Sequence, residues 1–559
     1  MSKKWLQIAA IATVIIGGTA LQVDAETVLY VPQDNRPVSL QYTVDTAKAA
    51  GFTVITPPQS MISGRTYEGH ADEVWNWVEQ NAGRADVMVL STDSLVYGGL
   101  VDSRKHNLPL ATLKNRVQRI KKLKEAHKNV AIYGFGTVMR SPRASGGGTE
   151  PAYYADYGPT IFQIAALQDK LDAGSLTAEE TSKLMALQAS VPVEYLQDWF
   201  NRRQKNMNVN KDLIDEVKDN VFTYFALGHD DTSSLSQSAM EGRYLNMYSK
   251  NLSPRVYGSF PGADQLGLLL IARARVDRTG DVPSFEVIYP LGGAGKTVPH
   301  YEDQSIEETI AEHVVAVGGT FTTAGKPNVL LAVNTPLTTT TGESEAFENF
   351  PMISASTSAF VDRIEQSVKD GVTVSVADIA YSNGSDNTLV GAFYKRGMLY
   401  KLGAYNGWNT ASNTVGYAVA QGLLSKYMTP EQHKNMLTQQ YLDNWAYQAN
   451  IRKDIYRMQD SIRTDNVRYS GALNDRLESY LGERIQDFAA KYLGVDPRTV
   501  QATFPWGRLF ETDIIVYDKP VVPLQKELRL QREAEAKAKA EAAAKAAQGA
   551  PTTTAPAVQ

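Results

Sequence analysis

Two consecutive acids, Asp230 and Asp231, stand at the end of the apolar run Val221, Phe222, Tyr224, Phe225 and Leu227. The run has the length and the β-branched and aromatic character of a buried strand, and Gly228 is read as its break. Ionised carboxylates are costly to bury unless they are paired or hydrogen-bonded. Two of them at a strand exit mark either a polar cleft or the cap of the helix predicted to start near Ser233. The same punctuation recurs along the chain. Asp34 and Arg36 follow the strand Thr27 to Val31, Asp93 and Tyr97 follow Asp86 to Leu90, and Arg140 follows Val130 to Gly134. Asp264 follows Arg255 to Phe260, Asp378 and Asn383 follow Val372 to Ala377, and the amide-rich loop with Asn406, Trp408 and Asn409 follows Leu399 to Ala404.

The inventory restricts the chemistry. There is no cysteine, which removes thiol catalysis, disulfides and Cys-ligated zinc, and seven histidines spread over 559 residues argue against a His-rich metal site. No G-x-S-x-G elbow is present for Ser-His-Asp hydrolysis. Glycoside hydrolysis fits what remains: one carboxyl kept protonated as general acid, a second kept anionic, with amides and an aromatic platform to hold a sugar. Asp230 and Asp231 are the candidate catalytic pair, since two carboxylates at short range split each other's pKa values. Asp34, Arg36, Asp93, Tyr97, Arg140, Asp264, Asp378, Asn383, Asn406, Trp408 and Asn409 are the candidate substrate-binding residues. Neither a cofactor nor a metal ligand set is assigned. Two other readings stay open: a non-catalytic envelope protein that grips a sugar or peptide, and a Mg²⁺- or Ca²⁺-dependent hydrolase built on the aspartates. Several positions also have purely structural readings. Asp34 and Arg36 could simply pair across a turn, Asp264 could cap the helix behind it, and Trp408 could be a packing residue.

Strands alternating with helices must position these side chains. That order gives an α/β protein with a parallel sheet, either barrel-like or doubly wound, and in both forms ligands bind at the C-terminal strand ends. Within a main domain spanning 26–429, a helical insertion at about 145–219 is predicted, made of Ile161 to Ala173, Ala178 to Ser190, Val193 to Met207 and Asp212 to Asp219. The glycine-rich run from Ser145 to Gly148 reads as its hinge, because no Gly-Lys-Ser/Thr follows to make a phosphate loop. A helical and small β region, 430–522, is expected to pack back on the main domain, ahead of a charged helix and polar tail over 523–559.

The first 25 residues have the form of an export signal: Lys3 and Lys4, an apolar stretch to Ala20, and Val23-Asp24-Ala25 as a cleavage site. No later stretch is long and apolar enough for a membrane span. The expected mature protein is secreted or periplasmic, in a bacterial envelope. Its partner is expected to be a glycan or another small polar substrate, and the formal net charge of −5 gives no footprint for nucleic acid.

The motifs VPQDNRPV, STDSLVYGGLVDSR, LGHDDTS, PGADQLGLLLIAR, ADIAYSNGSD and YNGWNTASNTVG resemble those of a bacterial domain-of-unknown-function family, number 4127, over nearly all of the chain to about Tyr517. More distantly, a strand that exits into Asp-Asp is similar to O-GlcNAcase-type hexosaminidases. That resemblance implies a (β/α)₈ barrel and attack by the substrate's own acetamido group, oriented by Asp230 while Asp231 protonates the leaving group.

Overall fold

The computed structural model describes residues 26–143, 148–291, 294–458 and 471–548. The predicted export signal, most of the glycine-rich hinge and the polar tail after residue 548 lie outside the described residues.

Strands β1 (Thr27–Val31), β2 (Thr53–Ile55), β3 (Val87–Ser91), β4 (Ala131–Val138), β5 (Tyr224–His229) and β6 (Tyr257–Pro261) form one parallel sheet in the order β2-β1-β3-β4-β5-β6. The chain then builds β7 (Ser284–Ile288), β8 (Thr320–Phe321), β9 (Val329–Asn334), β10 (Gly342–Glu343), β11 (Thr373–Asp378), β12 (Tyr381–Ser382) and β13 (Ala404–Asn406). Five of these make a second parallel sheet, β13-β11-β9-β7-β8, while β10 and β12 pair with each other beside it. Read from its β8 edge, the second sheet repeats the order of the first: second strand, first, third, fourth, fifth. Both sheets are open, since β2, β6, β8 and β13 each have a single neighbour. The architecture is therefore doubly wound, and the barrel implied by the hexosaminidase resemblance is corrected.

Parallel strands covered on both faces need continuous apolar runs. The stretches VMVLS of β3 and VLLAVN of β9 are buried at every residue. Between the sheets lie the helices Leu266–Thr279, Ile306–Ala316 and Ala411–Ser425, and one apolar core runs from Val28, Val89 and Phe135 through Leu269 and Val415 to Leu331 and Val333. Helix Leu266–Thr279 is buried continuously from Leu266 to Val276, as a helix clasped from two sides must be. The helix behind β11 packs so closely that a Cβ on Gly422 would lie 1.8 Å from the Ser375 hydroxyl.

The outer face of the first sheet is covered by Ala71–Asn81, Leu110–Ala126 and Val193–Lys218. The last of these merges two helices predicted separately, because buried Val209 and Asn210 carry the inward stripe across the polar stretch between them. The rest of the insertion has its own small core around Tyr154, Ile161, Ile164 and Trp199. Helices Ala355–Lys369 and Asn387–Lys395, with the helices from Pro430 onward and the antiparallel hairpin β14 (Val500–Thr503) and β15 (Asp513–Val516), close the far side of the second sheet. The final helix, Gln525–Gln548, is tied at its start by Arg529 to Glu483, 2.7 Å away, and is exposed beyond. Among the described residues no helix is long and apolar enough to cross a membrane.

Candidate functional site

The C-terminal ends of both sheets open on one cavity of about 360 Å³. In the first sheet the chain leaves β1 for β2 on one side and returns to β3 on the other. A crevice at such a switch point is where open α/β sheets bind ligands. Asp34 and Arg36 enter it from the loop after β1, and Arg104 enters from the short helix Leu100–Lys105 that follows β3.

Arg36 is the centre of the floor. Its Nη1 and Nη2 donate to the two carboxylate oxygens of Asp264 at 3.1 and 2.5 Å, and its Nε donates to Asp34 at 2.9 Å. All three side chains are buried. Asp264 also accepts from Gln33 Nε2 at 2.6 Å and from Asn409 Nδ2 at 2.5 Å, while its own backbone N–H is held by Asn413 Oδ1 at 2.9 Å. Burial pushes the Asp264 carboxyl up to about 6, against the pull of Arg36. The pair Asp34 and Arg36 does form across its turn, and Asp264 from the other side of the sheet makes it a triad.

The two consecutive acids both reach the cavity because Asp231 has a left-handed backbone, φ +39°. Without that turn, successive side chains would point to opposite faces. Each acid has its own arginine. Arg104 Nη2 donates to Asp230 at 2.5 Å, and Arg140 Nη1 donates to Asp231 at 2.6 Å. Glu150 links the two cations, accepting from Arg140 Nε at 2.7 Å and lying 3.6 Å from Arg104 Nη1, while Thr149 accepts from Arg140 Nη2 at 2.8 Å. Burial and the neighbouring Asp230 charge raise the Asp231 carboxyl above its ordinary value, opposed by Arg140 and Arg104.

His229 points away from the cavity. Its Nε2 meets the Ser259 hydroxyl at 2.9 Å and its Nδ1 lies 3.6 Å from Asp303. Burial disfavours its charge, but the nearby Asp303 carboxylate outweighs that and raises it. Gly228, predicted to end the strand, continues the ladder opposite Phe260. Its role is close approach: a Cβ there would meet the Gly262 carbonyl oxygen at 2.2 Å. Gly228→Ala is therefore expected to push the Asp230-Asp231 turn away from Asp264 and to lower the melting temperature by several degrees. Gly391→Ala, on a helix with nothing within 4 Å of the new Cβ, is the control and is expected to stabilise slightly. Equal melting temperatures for the two variants would show that the contact is unimportant.

Of the predicted site residues, Asp34, Arg36, Arg140, Asp230, Asp231, Asp264, Asn383 and Asn409 line the cavity. Five do not. Asp93 lies behind Asp230, accepts from the Thr137 hydroxyl at 2.9 Å, and is pushed up to about 7, mainly by burial. Tyr97 stacks on His106 with ring centres 4.9 Å apart. Asp378 is sealed beneath the second sheet's exit by Asn334, Tyr405 and the Asp386 N–H, at 2.8, 2.7 and 2.8 Å. Asn406 donates to Gln421 at 2.9 Å, and Trp408 packs on Phe510 with ring centres 5.8 Å apart. The sequence reading missed Arg104, Thr149, Tyr301 and Asn413, and it missed the contribution of the loop between β14 and β15, whose Trp506, Arg508 and Phe510 reach the cavity. Trp506 donates to Asn35 Oδ1 at 2.8 Å, and the Arg36 guanidinium lies 5.4 Å from its ring centre. The Trp-Gly-Arg turn was the available signal, with Gly507 at φ +58°.

The profile of a family described as protein of unknown function, DUF4127, matches residues 28–515. The chain belongs to the DUF4127 family. Searches of curated proteins and of solved structures returned no match. For this DUF4127 protein the site must therefore be judged on its chemistry. Among the described residues no group of three or more histidines and acids is arranged to hold a metal ion. The cavity's acids are each engaged by a guanidinium.

Proposed function

We propose that the cleft is the active site of an exported, carbohydrate-active hydrolase that cleaves a glycosidic bond with Asp231 as general acid and Asp230 as its anionic partner. The observation that carries this reading is the left-handed Asp231, which turns two consecutive carboxylates into one cavity and gives each a separate arginine. Burial and the Asp230 charge raise Asp231, the direction a general acid needs, against the pull of Arg140 and Arg104. The cavity is of ligand size, and its wall carries the amides Asn383 and Asn409 and the rings of Trp506 and Tyr301, the side chains a sugar's hydroxyls and C–H faces require. The acetamido-assisted route loses the barrel it was attached to, so acid-base hydrolysis by the pair is the mechanism to test, with hexosamine glycosides of envelope glycans, N-acetylated and free, as first substrates.

Asp230→Asn and Asp231→Asn are each expected to reduce turnover of chromogenic glycosides or cell-wall glycans by about 10²–10⁴-fold, with urea midpoints measured alongside to separate this loss from any destabilisation by the arginine each change leaves behind. Normal turnover in either variant would remove that residue from the mechanism. A second reading is favoured by the pairing of every cavity carboxylate with an arginine, which makes a fixed, neutralised surface suited to holding a ligand. It predicts saturable glycan binding by the wild type and no product.

A further inference from the structure

The segment from Leu337 to Ile353 leaves the second sheet beside the cavity and carries large apolar side chains into water. Phe347 is 92% exposed, Met352 and Leu337 78% and Phe350 69%. Protruding apolar groups of this number on a folded surface mark a contact site. The backbone beneath them is held firmly. β10 pairs with β12, Asn349 Nδ2 donates to the Ser344 and Ser385 carbonyls at 2.7 and 2.9 Å, and Asn349 Oδ1 accepts from the Asn387 N–H at 2.9 Å. Thr388 fixes the next stretch, its hydroxyl donating to the Phe350 carbonyl at 3.3 Å and accepting from the Met352 N–H at 3.2 Å.

The segment is continuous with the cavity. Glu343, in β10, accepts from Tyr301 at 3.1 Å and from Asn383 at 2.9 Å, and both of those residues line the cavity wall. The segment's own charges are acidic: Glu343, Glu345 and Glu348 fall within it and no lysine or arginine stands between Lys326 and Arg363, while Arg452 lies 4.0 Å from Glu345. Apolar faces interspersed with carboxylates suit a ligand that offers C–H surface and positive charge together, since an ammonium group is attracted both to an aromatic face and to a nearby acid. An anionic glycan or an anionic lipid surface would be repelled.

We propose that this rim is an extended subsite for a glycan chain bearing free amino groups, a glucosamine-type polymer, whose end enters the cavity while its following sugars lie on Phe347 and Phe350. The proposal names a substrate class for the same cleft and so rests on the carbohydrate reading.

The test is calorimetric titration of a glucosamine hexamer and of the fully N-acetylated hexamer into the full wild-type chain at low temperature, with the hexamers checked for cleavage afterwards, at mildly acidic pH where the sugar amine is charged. The glucosamine hexamer is expected to bind at least about tenfold more tightly than the acetylated one, with an affinity that falls as salt rises. Adding Phe347→Ser/Phe350→Ser, changes at two largely exposed side chains, is expected to weaken it by about tenfold. Equal affinities for the two hexamers, or no effect of the serine changes, overturns the proposal. Binding of the parent chain to phosphatidylcholine vesicles that the serine changes abolish, without hexamer binding, also overturns it and assigns the rim to lipid. Salt-sensitive glucosamine binding by a chain whose wild type cleaves no glycan would uphold the subsite and reject the hydrolase.

Discussion

Arg36→Met is expected to cost the fold about 3–5 kcal/mol, the usual penalty for removing one partner of a buried ion pair. The reason lies in what it leaves behind. Asp34 and Asp264 are both buried, and Arg36 supplies the side-chain donor of the first and two of the four side-chain donors of the second. Without the guanidinium, two carboxylates face each other out of water. Arg36→Lys should recover only part of the loss, because an ammonium cannot reproduce the fork that serves Asp264 at two oxygens. The triple change Asp34→Asn/Arg36→Met/Asp264→Asn should recover most of it, since no unpaired charge remains. Urea unfolding midpoints of the three variants decide the matter. If the single change costs less than about 1 kcal/mol, the ordinary scale of an exposed pair, the triad is not what holds the first-sheet loops together. The same variant should loosen the loop between β14 and β15, whose Trp506 ring rests near Arg36.

How far the sequence reveals this arrangement depends on the element. Strands buried on both faces declare themselves as apolar runs, so Thr27–Val31 was read with its bounds intact and Val87–Ser91 within a residue at each end. Strand order was not legible, because the repeated second-first-third pattern depends on crossovers whose direction leaves no local mark. At β5 the glycine was misread as a stop. Its missing side chain serves a neighbouring loop, a constraint that only the tertiary contact shows. For the site, the rule that function gathers at C-terminal strand ends found the first-sheet acids and Arg140. It overreached at Asp378, where Tyr405, one strand over, seals the exit that the sequence left open. The insertion shows a further limit: Glu150 joins Arg104 and Arg140 into one cationic pair, yet nothing near it in the sequence announces that partnership. Trp506 and Arg508 were hidden for a similar reason, since the hairpin that carries them closes on a loop from the opposite end of the chain.

Stability is expected to fall as pH rises through neutrality toward 8, the reverse of the behaviour of proteins whose acids are held ionised. Asp93, Glu302, Glu312, Asp378 and Asp443 are each pushed up to about 7, chiefly by burial. In the unfolded chain the same groups titrate near 4, so between those values the folded state binds more protons than the unfolded one. Their stabilising contribution is complete below the unfolded value and is lost as pH climbs through 7. By linkage each group gives up about 0.8 kcal/mol between pH 6.5 and 8, so five together amount to several kilocalories per mole. His229, raised by Asp303, adds a loss of the same sign. On the acid side, His106 and His313 are buried and lowered to about 4. Their contribution is present above the ordinary histidine value and disappears as pH falls below it, which offsets part of the carboxyls' gain on the acid side. Acids lowered by their cationic partners, such as Asp72 and Asp198, titrate below the window and leave the fall toward pH 8 unchanged. Glu312→Gln and Asp443→Asn should each flatten the fall between pH 6.5 and 8 by about a fifth, because each removes one of the five protons exchanged. Urea midpoints that stay level or rise over that interval would mean that these carboxyls are ionised at neutral pH, with water or a cation reaching them in the folded protein.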